Sequence, residues 1–168
     1  RENKFWYSES EFFYKTLKYG AETIHLIRKH ANSKYSNFHE GVEHYSSVLF
    51  EIDQAYRKFV WSYRKSKQNK VLANLADKIE KMYSNDWILE YSNGWQKVID
   101  DLTTWPTSER TSQQQFFEQH VKQFTDKDQR LFVIISDALR YECGAELSMR
   151  LQSENRYESS IYIQRIRY

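Results

Sequence analysis

The chain has 168 residues, of which 40% are hydrophobic, 17% aromatic and 29% charged. That length suits one ordinary domain or one domain plus part of another, and the aromatic content excludes a disordered chain. Four glycines and one proline disfavour a turn-rich all-β fold, and a net charge of +2 announces neither a nucleic-acid nor a membrane partner by itself.

Near the N-terminus, Phe13, Leu17, Ala21, Ile24 and Ala31 predict a first helix, with Gly20 a weak spot inside it. From about Phe38 to Lys65, apolar residues fall at Val42, Tyr45, Leu49, Ile52, Tyr56, Phe59 and Tyr63. These steps of three and four put one stripe on one helical face. Lys70 to Tyr83 repeats the spacing with Leu72, Leu75, Ile79 and Met82. A break is expected at "YSND", where Ser84 or Asn85 can cap a new helix carrying Ile88, Tyr91, Trp95, Val98 and Leu102. Four amphipathic helices with brief connections read as an antiparallel bundle.

The only proline sits in "TTWPTSERTSQQQ", which places a boundary around Thr103 to Ser112. A short helix is expected over Gln115 to Phe124, with Phe117, Val121 and Phe124 on one side, and "TDKDQR" then supplies a polar turn. The continuous apolar run Leu131-Phe132-Val133-Ile134-Ile135 predicts a strand buried on both faces, as in a parallel sheet. After it, Leu139, Cys143, Leu147 and Leu151 recur at helical spacing. Strand, Ser136-Asp137 turn and helix make half of a βαβ unit. The expected fold is therefore mostly α: a helical bundle over residues 1–105, a linker with a short helix over 106–130, and the start of an α/β domain over 131–168. One strand and one helix do not make a sheet, so the chain is expected to hold only part of that domain, as a fragment or with segments missing. The single Cys143 excludes an intrachain disulfide. No charged-then-apolar leader opens the chain, and no apolar run approaches the ~20 residues of a membrane helix. These features lead to the expectation of a cytoplasmic protein without a membrane partner.

In open α/β sheets, chemistry gathers beyond the carboxyl ends of strands, where Asp137 is expected. A carboxylate there can hold a cation or a phosphate-bound metal; it can equally serve as the N-cap of the following helix. Leu139 stands where a haloacid-dehalogenase-type site would place its second aspartate. No glycine-rich phosphate loop is present, and Ser136 lacks the flanking glycines of a nucleophile elbow. The five histidines, His25, His30, His39, His44 and His120, all precede the strand. His25/His30 and His39/His44 are each five apart rather than the four that stacks two ligands, so they read as surface or interface groups.

The string "LFVIISDALRYECGAEL" resembles the signature of PglZ proteins, the alkaline-phosphatase-superfamily component of BREX bacteriophage-exclusion systems. "EIDQAYRKFV" and "MYSNDWILEYSNGWQKVID" are similar to the helical region that precedes the catalytic domain there, so the likeness runs from about Tyr35 to Tyr157. The resemblance implies an alkaline-phosphatase-like, metal-dependent phosphoester hydrolase whose first strand ends in an aspartate. That aspartate ligates one of two divalent metals, zinc being the implied ion, and Asp137 matches it. Arg140 is a candidate phosphate contact, although Glu142 and Glu146 are available to pair with it. Tyr141 and Glu142 are expected to fix the strand–helix junction, and Cys143 to pack. The nucleophile and the other ligands match no residue here, so no catalytic residue is assigned within this chain. The resemblance also implies other BREX defence proteins as partners, and a phosphomonoester, a diester or a nucleic-acid backbone as substrate.

Two other readings concern the helices. Trp6, Tyr7, Phe12, Tyr14, Trp61, Trp87 and Trp105 exceed what one buried stripe consumes and suit a docking scaffold. In "YRKFVWSYRKSKQNK", Arg57, Lys58, Arg64, Lys65, Lys67 and Lys70 interleave with aromatics as in a DNA-binding surface, or form a solvated face. On the hydrolase reading, the 168-residue chain alone is predicted to be inactive. A chromogenic phosphate ester measures this, and hydrolysis above the buffer rate contradicts it.

Overall fold

The computed structural model describes residues 5–103, 115–154 and 161, with backbone alone at residues 5–9 and 69. Contacts divide the chain into two units, Arg1–Leu102 and Thr103–Tyr168.

The first unit consists of three helical rods. The first is α1, Phe5–His30. The second joins α2 (Phe38–His44) to α3 (Phe50–Lys65) through the π-helical segment Tyr45–Leu49. The third joins α4 (Asn69–Lys81) to α5 (Glu90–Asp100) through a longer π-helical segment, Met82–Leu89. The break expected at Ser84-Asn85 is absent, because the backbone widens there instead of ending. Ile79, Tyr83, Trp87 and Tyr91 are spaced by four, a step that overshoots a full α-helical turn by about 40°. A stretch of i→i+5 bonding takes up that drift and keeps all four on one line. Two of the expected helices are thus one rod.

Ring contacts fix the directions of the rods. Phe12 lies edge-on to Trp61 at 5.1 Å and His30 faces His44 at 6.4 Å, so the first two rods run antiparallel. Phe38 meets Trp95 at 5.3 Å, while Tyr56 stacks on Tyr83 at 3.7 Å, so the second and third do as well. The connections are short because their ends are closed locally. The Asn37 side chain accepts from the Glu40 N–H at 2.9 Å, capping α2. The Glu40 carboxylate accepts in turn from the Ser36 hydroxyl and N–H, and these bonds hold its pKa below the ordinary value. At the end of α3, Lys67 takes φ 55, the left-handed turn usually given to glycine.

The buried face of α1 differs from the expected one. Thr16, Gly20, Thr23, Leu26 and Ile27 are buried, whereas Leu17 and Ala21 are exposed. Two threonines can be buried because each hydroxyl donates to the carbonyl four residues back, Phe12 at 2.6 Å and Tyr19 at 2.7 Å. Small residues also let the rods approach closely: a methyl at Gly20 would lie 2.8 Å from Ile79 Cδ1. What looked like a flaw in a helix is a contact seam. Gly41 plays the same part between the second and third rods, where an added methyl would lie 2.5 Å from the Trp95 ring and 2.9 Å from that of Tyr35.

The core cluster joins Leu26, Ile27, Leu49, Ile52 and Ala55 to Tyr83 and Trp87, and α3 also buries a carboxylate, Asp53. Tyr45 donates to its Oδ2 at 2.6 Å, and Tyr83 and Trp87 donate to its Oδ1 at 2.9 and 3.2 Å. A carboxylate taken from water loses several kcal/mol unless its lone pairs are met. Here three ring donors meet them, one from the shorter π-helical segment and two from the longer.

In the second unit, a π-helical turn, Phe117–Val121, leads into α6, Lys122–Thr125, close to the expected short helix. Asp128, at φ 52, closes it, with the Gln129 N–H donating to Phe124 O at 2.9 Å. No β-strand occurs among the described residues. The run Leu131–Ile135, expected to be a buried strand, is irregular, with Phe132 85% and Ile134 93% exposed. A strand needs a neighbour to pair its N–H and C=O groups, and no described segment offers one. The last helix, α7, spans Tyr141–Ser153. Its buried residues are Glu142 and Ala145, while Leu139 and Leu147, from the expected stripe, are exposed. Among the described residues there is no sheet for that stripe to cover. The expected boundary residues 104–112 and the C-terminal "SSIYIQRIRY", apart from Ile161, lie outside the described residues.

Two substitutions test this packing. Asp53→Ala removes the acceptor of three ring donors, two of them on the buried Tyr83 and Trp87, and is expected to cost about 3–5 kcal/mol; urea unfolding measures it, and a destabilisation below about 1 kcal/mol contradicts the central role of the carboxylate. Gly41→Ala improves helix propensity, yet is expected to destabilise by about 1–3 kcal/mol through overlap with Trp95. A melting temperature that stays level or rises contradicts that close approach.

Candidate functional site

Asp137 lies exposed in a turn with Ala138, ahead of α7. The N-cap position of α7 belongs to Arg140, whose backbone is extended (φ −70, ψ 153) and which makes no side-chain cap. The aspartate therefore stands three residues before the cap it was a candidate to fill. Its carboxylate is presented at the surface of the lead-in to the helix.

Arg140 is tied to a neighbouring acid. Its Nε lies 3.0 Å from Glu142 Oε1, and Glu142 is fully buried while the arginine side chain is 55% exposed. A buried carboxylate is costly without a counter-charge, so this contact fixes the first turn of α7. Glu146 pairs with Arg150 one turn on. Tyr141 and Cys143 are half-buried. Sequence spacing allowed Arg140 either acid, and burial of Glu142 decides between them.

A divalent cation needs several oxygen or nitrogen donors around one point. Asp137 offers one hard oxygen donor, and among the described residues no three His, Cys, Asp or Glu side chains gather into a metal-binding group. The described residues alone do not make a closed metal site. The histidines do not add to it. His25 is exposed, His39 lies 3.6 Å from Glu43, and His120 faces the Phe116 ring at 5.5 Å. His30 is half-buried at the end of α1, and its Nε2 is enclosed without a hydrogen-bond partner. Burial, followed by the charges of Lys29 and His44, lowers its pKa below the ordinary histidine value.

The fold also makes a groove that spacing in the sequence did not suggest. It has a volume of about 470 Å³ and lies between residues 30–36 and the rod that carries Trp87, Tyr91 and Gly94. The Tyr35 hydroxyl donates to the Tyr91 carbonyl at 2.9 Å across 56 residues, and closes one wall. Lys34 and Lys97 share the rim with Asp86, Glu90 and Asp101. Opposite charges line it without converging on one point. A lone tyrosine in a polar connection was the only signal, and it carries no period.

The aromatics expected to form a docking surface divide. Trp61 and Tyr14 are exposed, but Trp87 is a core residue that donates to Asp53. It is inward because the π-helical segment turns it there, and an α-helical reading does not. The side chains of Trp6 and Tyr7, and all of Trp105, lie outside the described residues. No helix among the described residues is long and apolar enough to cross a membrane.

Comparison with known proteins points one way. Residues 116–166 match the family model PglZ, described as the BREX system PglZ alkaline phosphatase-like domain. The chain is 36% identical over 119 residues to the alkaline phosphatase-like protein PglZ of Bacillus cereus (strain H3081.97), covering 70% of this chain and 14% of that protein. It is 33% identical over 173 residues to the alkaline phosphatase-like protein BrxZ of Escherichia coli O9:H4 (strain HS), covering 96% of this chain and 20% of that protein. The chain thus spans 14% and 20% of the length of these two curated relatives. No solved structure matches it. With a matched segment that contains the Asp137 turn and α7, and with relatives that extend the likeness through the helical rods, this chain belongs to the PglZ family.

Proposed function

We propose that this chain is the helical region and opening segment of a metal-dependent phosphoester hydrolase that acts with other BREX components against phage. The observation that carries the reading is the position of Asp137: an exposed carboxylate on the lead-in to α7, within the segment that matches the alkaline phosphatase-like domain. In the complete domain, Leu131–Ile135 becomes a strand buried between neighbours, and Asp137 closes it. This accounts for five consecutive apolar residues that otherwise face solvent.

Asp137 then supplies one oxygen ligand to a divalent cation, zinc in this reading. Such a cation polarises phosphoryl oxygens and lowers the pKa of a nucleophile. The remaining ligands and the nucleophile come from elsewhere in the protein. The turn carries the carboxylate on the lead-in to α7, at whose start Arg140 pairs with Glu142. Arg140 is proposed to contact the substrate phosphate from the position in which Glu142 holds it. The protein works in the cytoplasm, where its single cysteine stays reduced.

The test is Asp137→Ala in the complete gene product that contains this chain. The expected outcome is loss of bound divalent metal and of phage resistance, with stability compared metal-free in EDTA changed by no more than about 0.5 kcal/mol, as for an exposed site. Metal content and resistance both unchanged overturn the assignment.

A further inference from the structure

The basic residues of α3 have a placement that the phosphoester reading does not use. Residues 54–76 hold six lysines and arginines and no aspartate or glutamate, in a chain whose net charge is only +2. On α3, Arg57, Lys58, Trp61, Arg64 and Lys65 recur at steps of one, three and four, which puts them on one face. Trp61, Arg64 and Lys65 are exposed and Arg57 and Lys58 half-buried, while Ile52, Asp53, Ala55, Phe59 and Ser62 are the buried residues of the helix. The neighbouring stretch of α1 adds Lys18, while Lys15 there is paired with Glu11. At the opposite end of the same unit the charges are mixed, with Lys34 and Lys97 beside Asp86, Glu90 and Asp101. The acid-free stretch of residues 54–76 is therefore the feature that sets this face apart.

Helix-end complementarity does not explain this pattern. Lysine and arginine in the last turn of a helix offset its dipole, and that covers Arg64 and Lys65. Arg57 and Lys58 stand two turns earlier. Lys70 sits in the first turn of α4, where a positive charge is unfavourable.

Within the basic face stands Trp61, 49% exposed and braced edge-on by Phe12 at 5.1 Å and 78°. A half-exposed indole held in place by a second ring, and flanked three and four residues on by exposed Arg64 and Lys65, combines an aromatic platform with phosphate-binding charges. We propose that this face binds single-stranded nucleic acid, its phosphates running along the basic residues and one base stacking on Trp61. Only an unpaired base can reach the indole, and this selects a single strand over a duplex. The surface lies in the helical unit and uses neither Asp137 nor a metal.

The test is fluorescence anisotropy of a labelled oligothymidylate with the 168-residue chain in EDTA, over a salt series. An equal-length duplex, polyglutamate and anionic phosphatidylserine vesicles serve as competitors. The expected result is single-strand binding that weakens with salt and is outcompeted by none of the three at equal charge. Trp61→Ala reduces affinity at least fivefold with its salt slope unchanged. Arg64→Gln with Lys65→Gln lowers the slope of log K against log salt by ~1.4, because each phosphate of a single strand that is no longer neutralised accounts for about 0.7. Thermal unfolding confirms that both variants remain folded; if Trp61→Ala does not, Trp61→Leu replaces it, which keeps apolar bulk without a stacking ring and is expected to lose at least threefold in affinity. No binding, equal preference for duplex, or indifference to both changes overturns the proposal. So does stronger competition by polyglutamate or vesicles, which assigns the face to an acidic protein or a membrane surface. Because EDTA removes any metal, failure here leaves the hydrolase reading untouched.

Discussion

The helical unit is organised around one buried carboxyl side chain. Asp53 is buried in the second rod, and its two oxygens receive hydrogen bonds from Tyr45, Tyr83 and Trp87. Those donors lie 8, 30 and 34 residues away in sequence, so one carboxylate joins the second rod to itself and to the third. In a low-dielectric interior, an unmet carboxylate is among the most destabilising groups a core can hold. The carboxylate therefore favours the register of the second and third rods that brings these ring donors to the same point. A wholly apolar core is more permissive of sliding.

The π-helical segments belong to the same constraint. Tyr45 opens one, and Tyr83 and Trp87 lie inside the other. A regular α-helix through Met82–Leu89 would rotate one of these rings off the line facing Asp53. Widening the backbone sacrifices some regularity in its hydrogen bonds, and this is offset by the contacts the rings make around the carboxylate. Beyond them, Tyr56 stacks on Tyr83, and Tyr91 packs beside Trp87 at 5.1 Å. Burial raises the pKa of Tyr91 well above the ordinary value, so this layer stays neutral across any physiological pH.

The second unit stands in contrast. Its described residues bury little beyond Glu142 and Ala145, and its most hydrophobic stretch, Leu131–Ile135, faces outward. A strand does not form from its own side chains. It needs a partner's backbone, whereas a helix satisfies its hydrogen bonds internally. The same physics explains why α7 is formed while the segment before it is not. In this family, the helical rods and the Asp137 turn occupy one stretch of chain, which couples a self-sufficient helical unit to a segment with no described pairing partner.

Spacing of apolar residues was enough to locate the rods, because Leu49, Ile52, Phe59, Leu72 and Ile79 recur at helical steps and are buried. The string around Asp137 was likewise enough to find the family, because it combines a β-prone run, a carboxylate and a helix start in one short segment. Tertiary structure decided what no local period encodes. It made Thr16, Gly20 and Thr23 the inner face of α1, since closeness of approach favours small residues that polarity scales count as surface. It joined two expected helices into one through a π-helical segment, and turned Trp87 from surface to core. It also tied Arg140 to Glu142 rather than to Glu146. Each of these outcomes depends on what another part of the chain brings to the same place, and a period read along one segment carries no information about its neighbour.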